Sequence, residues 1–188
     1  EHTLFLLDGL ELNDPINPSR SYDLSHLSLS EVDRIEILRG PQGLLYGSDA
    51  LGGVVNIITR AGRGRPRLRL AASSDTLRSL DADVSLAGSG KKTEYSLALF
   101  HERTAGISAA SSAYAGNIEK DGYRNLSLAA RIVYAPRPST ALTLTVRAAK
   151  ARTELDNFGG PGGDDPNSIQ DYGTLLVRGQ YRGLSSNG

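Results

Sequence analysis

From Arg67 to Arg182, apolar and polar residues alternate with a period of two in six successive segments. Successive side chains of a β-strand point to opposite faces, so such a pattern builds strands with one apolar face and cannot sit in a helix. The apolar positions are Leu68, Leu70 and Ala72, then Leu80, Ala82, Val84 and Leu86, then Tyr95, Leu97 and Leu99. They continue as Leu126, Leu128, Ala130, Ile132 and Tyr134, then Leu142, Leu144, Val146 and Ala148, then Leu175, Val177 and Tyr181. Arg69, Asp81, Asp83, Arg131, Arg147 and Arg178 fall between them, on the polar face. The links have a parity of their own. Those at 89–92 and 137–140 are four residues long, those at 104–122 and 154–172 are nineteen, and 74–79 is intermediate. Short turns on one rim and long loops on the other are the habit of an up-and-down membrane barrel, whereas a soluble sandwich scatters its loop lengths. The tyrosines Tyr95, Tyr134 and Tyr181 suit an interfacial girdle, or simply fill the apolar face.

Composition narrows the function. The 188 residues carry 21 basic and 21 acidic side chains, and this neutral balance gives no footprint for a nucleic acid. There is no Cys, which removes disulfide scaffolds, thiolate metal sites and thiol nucleophiles. No apolar run approaches the roughly 18 residues a membrane-spanning helix needs, a limit that does not touch a barrel. The chain opens at Glu1 without Met or a leader, and is read as a segment of a longer protein.

Residues 1–62 differ in texture, with short apolar runs between dense turn signals. Leu4–Leu7 reads as a strand stopped by Asp8-Gly9. Ser30, with Asp33 three residues on, reads as the N-cap of a helical stretch over Leu29–Arg34. Ile35–Leu38 reads as a strand ending at Arg39-Gly40-Pro41. A helical turn follows at Leu44–Tyr46, closed by Gly47 in the left-handed conformation, and Val54–Thr59 is β-branched and strand-like. The linker Ala61-Gly62-Arg63-Gly64-Arg65-Pro66 sets the boundary near residue 65.

Two stretches of this first region carry a resemblance. Val32-Asp33-Arg34-Ile35-Glu36-Ile37-Leu38-Arg39-Gly40-Pro41 and Leu45-Tyr46-Gly47-Ser48-Asp49-Ala50-Leu51-Gly52-Gly53-Val54-Val55-Asn56-Ile57-Ile58-Thr59-Arg60 resemble the second half of the plug domain of TonB-dependent outer-membrane receptors. Leu7-Asp8-Gly9-Leu10-Glu11-Leu12-Asn13 is similar to the family's hairpin upstream of it. The arrangement around Asp23-Leu24-Ser25 and Tyr46–Ala50 looks like the cobalamin-type members, and siderophore receptors share much of it.

The resemblance implies a fold: a small α+β plug segment over 1–65, then antiparallel transmembrane strands over 66–188, about six of a 22-stranded barrel. It implies a Gram-negative outer-membrane receptor that takes up a bulky chelate, a cobalamin or a ferric siderophore. Its partners would be outer-membrane lipid and a TonB-type energy transducer, whose binding box lies outside this segment. No catalysis and no required cofactor are expected. The competing reading is a passive porin-like or adhesin barrel, which has no use for the plug motifs.

Site residues follow from the same source. Asn13, Asp14, Gln42, Gly43 and Leu44 correspond to plug apices facing the ligand, although Asn, Asp, Pro and Gly make turns anywhere. Arg39 corresponds to arginines that lock the plug to the barrel wall through a carboxylate. Asp156, Asp164, Asp165 and Asp171 lie in or beside a glycine-rich loop that the parity of the links makes extracellular. The resemblance to cobalamin-type receptors implies loops ordered by calcium there, and the clustering of these carboxylates, which matches no EF-hand spacing, makes them the candidate ligands. His2, His26 and His101 are too dispersed for a metal site. There is no Ser in a nucleophile elbow and no Gly-Lys-Ser/Thr ending for a phosphate loop.

Overall fold

A computed structural model describes residues 3–14, 22–76, 78–108, 110–157 and 161–183. His2, the side chain of Ser30 and residues 158–160 lie outside the described residues. The chain divides into two compact units, Glu1–Ala61 and Gly62–Gly188.

The first unit is a four-stranded mixed sheet built from β1 (Thr3–Leu7), β2 (Leu10–Glu11), β3 (Val32–Arg39) and β4 (Gly53–Thr59). The strand order is β2-β1-β4-β3, with β1 and β4 parallel and the other pairs antiparallel. The two central strands are the apolar runs of the sequence, as strands flanked on both sides must be. Leu4, Leu6, Ala50 and Val54 form the buried cluster, and Val54 has no exposed surface.

Asp8 and Gly9 both have positive φ, 51° and 75°, and close the β1–β2 hairpin as the Asp-Gly pair demands. The excursion between β3 and β4 carries a single helical turn, α1 (Gly43–Tyr46). Gly47 ends it with φ 87° but ψ −174°, a positive-φ terminator that is extended rather than left-handed helical.

One expectation fails here. The stretch Leu29–Arg34 is not a capped helix. Leu29–Glu31 makes one 3-10 turn and the chain is extended from Val32 onward. Pairing with β4 decides the matter, since Val32, Ile35 and Ile37 stand opposite Thr59, Ile57 and Val55. A register shift between Val32 and Arg34 absorbs Asp33 as a bulge.

The second unit is a six-stranded antiparallel meander. Its strands are β5 (Arg67–Ser74), β6 (Leu80–Ser89), β7 (Thr93–Thr104), β8 (Tyr123–Arg137), β9 (Thr140–Glu154) and β10 (Ile169–Gly183). Each pairs only with its sequence neighbours in the sheet order β10-β9-β8-β7-β6-β5. The strands outrun the alternating segments, so the links shorten to 75–79, 90–92, 105–122, 138–139 and 155–168 while their parity holds. β8 is bulged between Tyr134 and Arg137, where Pro136 has no N–H to give the ladder.

Register settles the faces. Ile132 stands opposite Leu144, Leu128 opposite Ala148, Leu142 opposite Tyr181 and Val146 opposite Val177. Leu126, Leu128, Ile132, Leu142, Leu144, Val146, Leu175 and Val177 therefore share one face, and Arg131, Arg147 and Arg178 occupy the other. Arg69, Asp81 and Asp83 lie on that polar face too. The apolar face is open. Leu128 on this face is 37% exposed and Leu175 71%, and exposed leucine, isoleucine or valine side chains occur on all six strands, with Tyr95 and Val146 half-buried among them. A contiguous apolar face open across six strands is more than the scattered apolar residues a soluble surface carries, and suits a surface that is covered by something apolar.

Candidate functional site

Chain direction brings the apex residues to one end of the first sheet. β1 and β4 run parallel from Thr3 and Gly53, and β3 arrives antiparallel with Arg39 opposite Gly53. The Leu12 N–H donates to the Phe5 carbonyl at 2.9 Å, so Asn13 and Asp14 return toward the start of β1. Asn13–Asp14, Arg39 and the excursion 40–52 thus leave the same end, separated by the width of β1 and β4. Asn13 is exposed and Asp14 half-buried.

Backbone bonds brace the excursion. The Gly40 N–H donates to the Gly52 carbonyl at 3.2 Å and the Gln42 N–H to that of Ala50 at 2.8 Å. The Gln42 carbonyl then accepts from both Leu45 and Tyr46, while its side chain caps nothing. α1 is thereby presented on a short stalk. Leu44 at its tip is 99% exposed, and Leu45 is 79%. Arg39 is exposed and makes no ion pair among the described residues.

The opposite end of this sheet is fastened by side chains whose pairing sequence reading missed. Asp8 accepts from both the N–H and the hydroxyl of Thr59, and the Gly9 N–H donates to Asn56 Oδ1 at 3.2 Å. Before β3, the Asp23 carboxylate accepts from the Ser25 N–H at 2.9 Å and caps the 3-10 turn Leu24–His26. Hydrogen bonds from Ser25, side chain first and then backbone, hold the Asp23 carboxyl below its usual range; partial burial opposes them and nearby His26 adds to them.

In the second unit the two long links, 105–122 and 155–168, are tied to each other. Asp164 Oδ2 accepts from the N–H groups of Ile118 and Glu119 at 2.6 and 2.7 Å. Asp156 accepts from the Ala110 N–H, and Ser108 Oγ reaches both Asp156 and Asp164. Desolvation, and then the charges of Asp164 and Asp156, push the Glu119 carboxyl up.

The four candidate calcium ligands do not gather into one set. Asp165 turns inward on its own loop, accepting from the Asn167 N–H and from Asn157 Nδ2. Asp171 lies on β10, 3.9 Å from Arg152. Backbone N–H groups engage Asp156, Asp164 and Asp165, each at a different place. Among the described residues no group of three or more His, Cys, Asp or Glu is placed to hold a metal ion.

Against known proteins, residues 1–54 match the family model described as the TonB-dependent Receptor Plug Domain. Three solved structures illustrate the likeness in fold. The siderophore receptor PirA from Acinetobacter baumannii is 23% identical, with a TM-score of 0.64 over 86% of this chain and 25% of that one. The ferric enterobactin receptor PfeA in complex with BCV-L6 is 21% identical, with a TM-score of 0.69 over 100% of this chain and 32% of that one. FpvA of Pseudomonas aeruginosa, bound to heterologous pyoverdines, is 16% identical, with a TM-score of 0.71 over 98% of this chain and 26% of that one. The chain spans roughly a quarter to a third of the length of these receptors.

Proposed function

We propose that this chain is part of a TonB-dependent outer-membrane receptor for a ferric siderophore, with residues 1–65 from the plug and 66–188 supplying the first transmembrane strands. One observation carries the reading. A sheet matching the plug family precedes a meander whose whole apolar face is open and whose polar face holds Arg131, Arg147 and Arg178.

The similar structures named above are receptors for siderophores, which favours that class of chelate over the cobalamins that the Asp23–Ser25 and Tyr46–Ala50 stretches had suggested. In this reading the end that carries Asn13, Asp14, Gln42, Gly43 and Leu44 meets the chelate, Arg39 pairs with the barrel wall, and a TonB-type protein supplies the energy. Capture is a matter of shape and hydrogen bonds, with no bond made or broken in the cargo.

Uptake of radioactive iron, presented as ferric siderophores to cells whose only receptor is the intact protein, tests the reading. Uptake that stops when the inner membrane is de-energised supports it. Uptake that continues unchanged under an uncoupler favours the passive porin. Labelled cobalamin in a parallel assay decides the class of chelate.

A further inference from the structure

The apolar face of the meander is bounded at its long-link edge by a row of like charges. Arg103 stands directly opposite Arg124, Arg124 opposite Arg152, and Arg152 opposite Asp171. Like charges set directly across a ladder repel. Only the last position of the row is a carboxylate, 3.9 Å from Arg152, and Arg103 and Arg124 have no acidic partner among the described residues. One rung further in, His101 and Lys150 flank Leu126. The next rung is apolar, with Leu99, Leu128, Ala148 and Leu175. Arg124 and Arg152 line two grooves of about 540 and 500 Å³, the first shared with Arg103 and Glu154 and the second with His101 and Asp171.

We propose that this row binds the phosphate of a membrane lipid headgroup, with the lipid's acyl chains lying along Leu99, Leu128 and Leu175. Three features favour that occupant. The row is on the apolar face, so whatever fills it touches hydrocarbon on one side. Arginine rather than lysine dominates it, and a guanidinium fork matches phosphate oxygens two at a time. The position is also where such charges are tolerated, since cations on a lipid-facing strand are costly at mid-bilayer and cheap near the interface. Clustered basic side chains at a membrane surface attract anionic headgroups. At the other edge Tyr134 and Tyr181 flank Leu142 on one rung and a single cation, Arg137, stands opposite Thr140 on the rung beyond, so three arginines abreast occur at the long-link rim and not at this one.

The inference rests on the reading of the open face as lipid-covered, and two measurements keep the two apart. Flotation of the intact receptor with phosphatidylcholine vesicles reports insertion. Fluorescent phosphatidic acid, titrated into the receptor in neutral detergent, reports the site. Arg103→Gln/Arg124→Gln/Arg152→Gln is expected to weaken phosphatidic acid about tenfold or more, as is replacing the probe with diacylglycerol, while Arg131→Gln/Arg178→Gln on the polar face leaves affinity unchanged. Should the triple variant fail to assemble, Arg124→Gln alone is read, with an expected loss of about threefold. Millimolar inorganic phosphate is expected not to displace the lipid; displacement would make the row a site for free phosphate and overturn the proposal. Insertion with equal affinity in wild type and variants overturns this proposal alone. Failure to insert overturns both.

Discussion

Asp8 and Thr59 lie 51 positions apart and meet through two hydrogen bonds, the Thr59 N–H to Oδ1 at 2.9 Å and the Thr59 hydroxyl to Oδ2 at 2.7 Å. Asp8 sits at the positive φ of a hairpin turn, and Thr59 closes the last strand of the same sheet. The contact therefore locks the first connection of the sheet to the end of its last strand in the chain. A charged acceptor serves two donors on a buried residue, so its loss strands both. Asp8→Ala is expected to cost about 1–3 kcal/mol, seen as roughly tenfold or greater loss of hydrogen-exchange protection at the Thr59 amide. Unchanged exchange there would show that the pair contributes nothing.

Gly53 and Gly43 make a contrasting pair. At Gly53, with φ 148°, an added Cβ would fall 2.4 Å from the Leu38 carbonyl oxygen, which cannot retreat without breaking the β3–β4 ladder. At Gly43 an added Cβ meets nothing within 4 Å, and the residue opens a helical turn. Gly53→Ala is expected to cost on the order of 1–3 kcal/mol or more. Gly43→Ala should be neutral or slightly stabilising. Urea melting of the first unit, followed by exchange at Val54 and Val55, distinguishes them.

Charge placed on the two faces of β9 should behave in opposite ways. Leu144 and Thr145 are neighbours in sequence and face opposite sides. An arginine facing hydrocarbon at mid-bilayer costs about 2–4 kcal/mol. Leu144→Arg should thus lower the yield of assembled receptor in isolated outer membranes, whereas Thr145→Arg, beside Arg131 and Arg178, should be milder. Equal yields would contradict the assignment of faces.

The Asp23 cap is pH-dependent, with a definite sign. Its carboxyl is held below the ordinary value near 3.8, chiefly by Ser25. A folded value below the unfolded one means that the stabilisation is fully present above about 3.8 and fades as pH falls through the folded value. An NMR titration of the Ser25 amide should have its midpoint below 3.8 in the native protein, and Asp23→Asn should abolish the titration. A midpoint at or above 3.8 would contradict the cap.

Asp164 joins the two long links by accepting from two backbone donors. Asp164→Asn exchanges charge-assisted bonds for weaker ones and lets the amide turn a donor toward donors. Faster proteolysis within 105–122 is expected, with the strand core unaffected.

Legibility in the sequence followed the distance over which each feature is determined. The alternation at Leu126–Tyr134 and Leu142–Ala148 exposed their strands because a sheet with one covered face writes its period directly into the chain. Asp8-Gly9 was equally plain, since a tight turn is specified by its own two residues. Ser30 and Asp33 misled because a capping pattern is local, while Val32, Ile35 and Ile37 answer to β4, some twenty residues away. The Asp8–Thr59 pair and the arginine row left no trace of that kind. Arg103, Arg124 and Arg152 sit at strand ends, beyond the clear alternation, and only register aligns them.

The two-residue link at 138–139 acts as a phase reference for everything after it. Side-chain direction is counted from the turn, so one added residue there would transpose β9 against β8 and bring Leu142, Leu144 and Val146 to the side now held by Arg147. The 18 residues of 105–122 can absorb the same insertion without altering any facing. One rim of the sheet therefore fixes where every later side chain points, and the other rim does not.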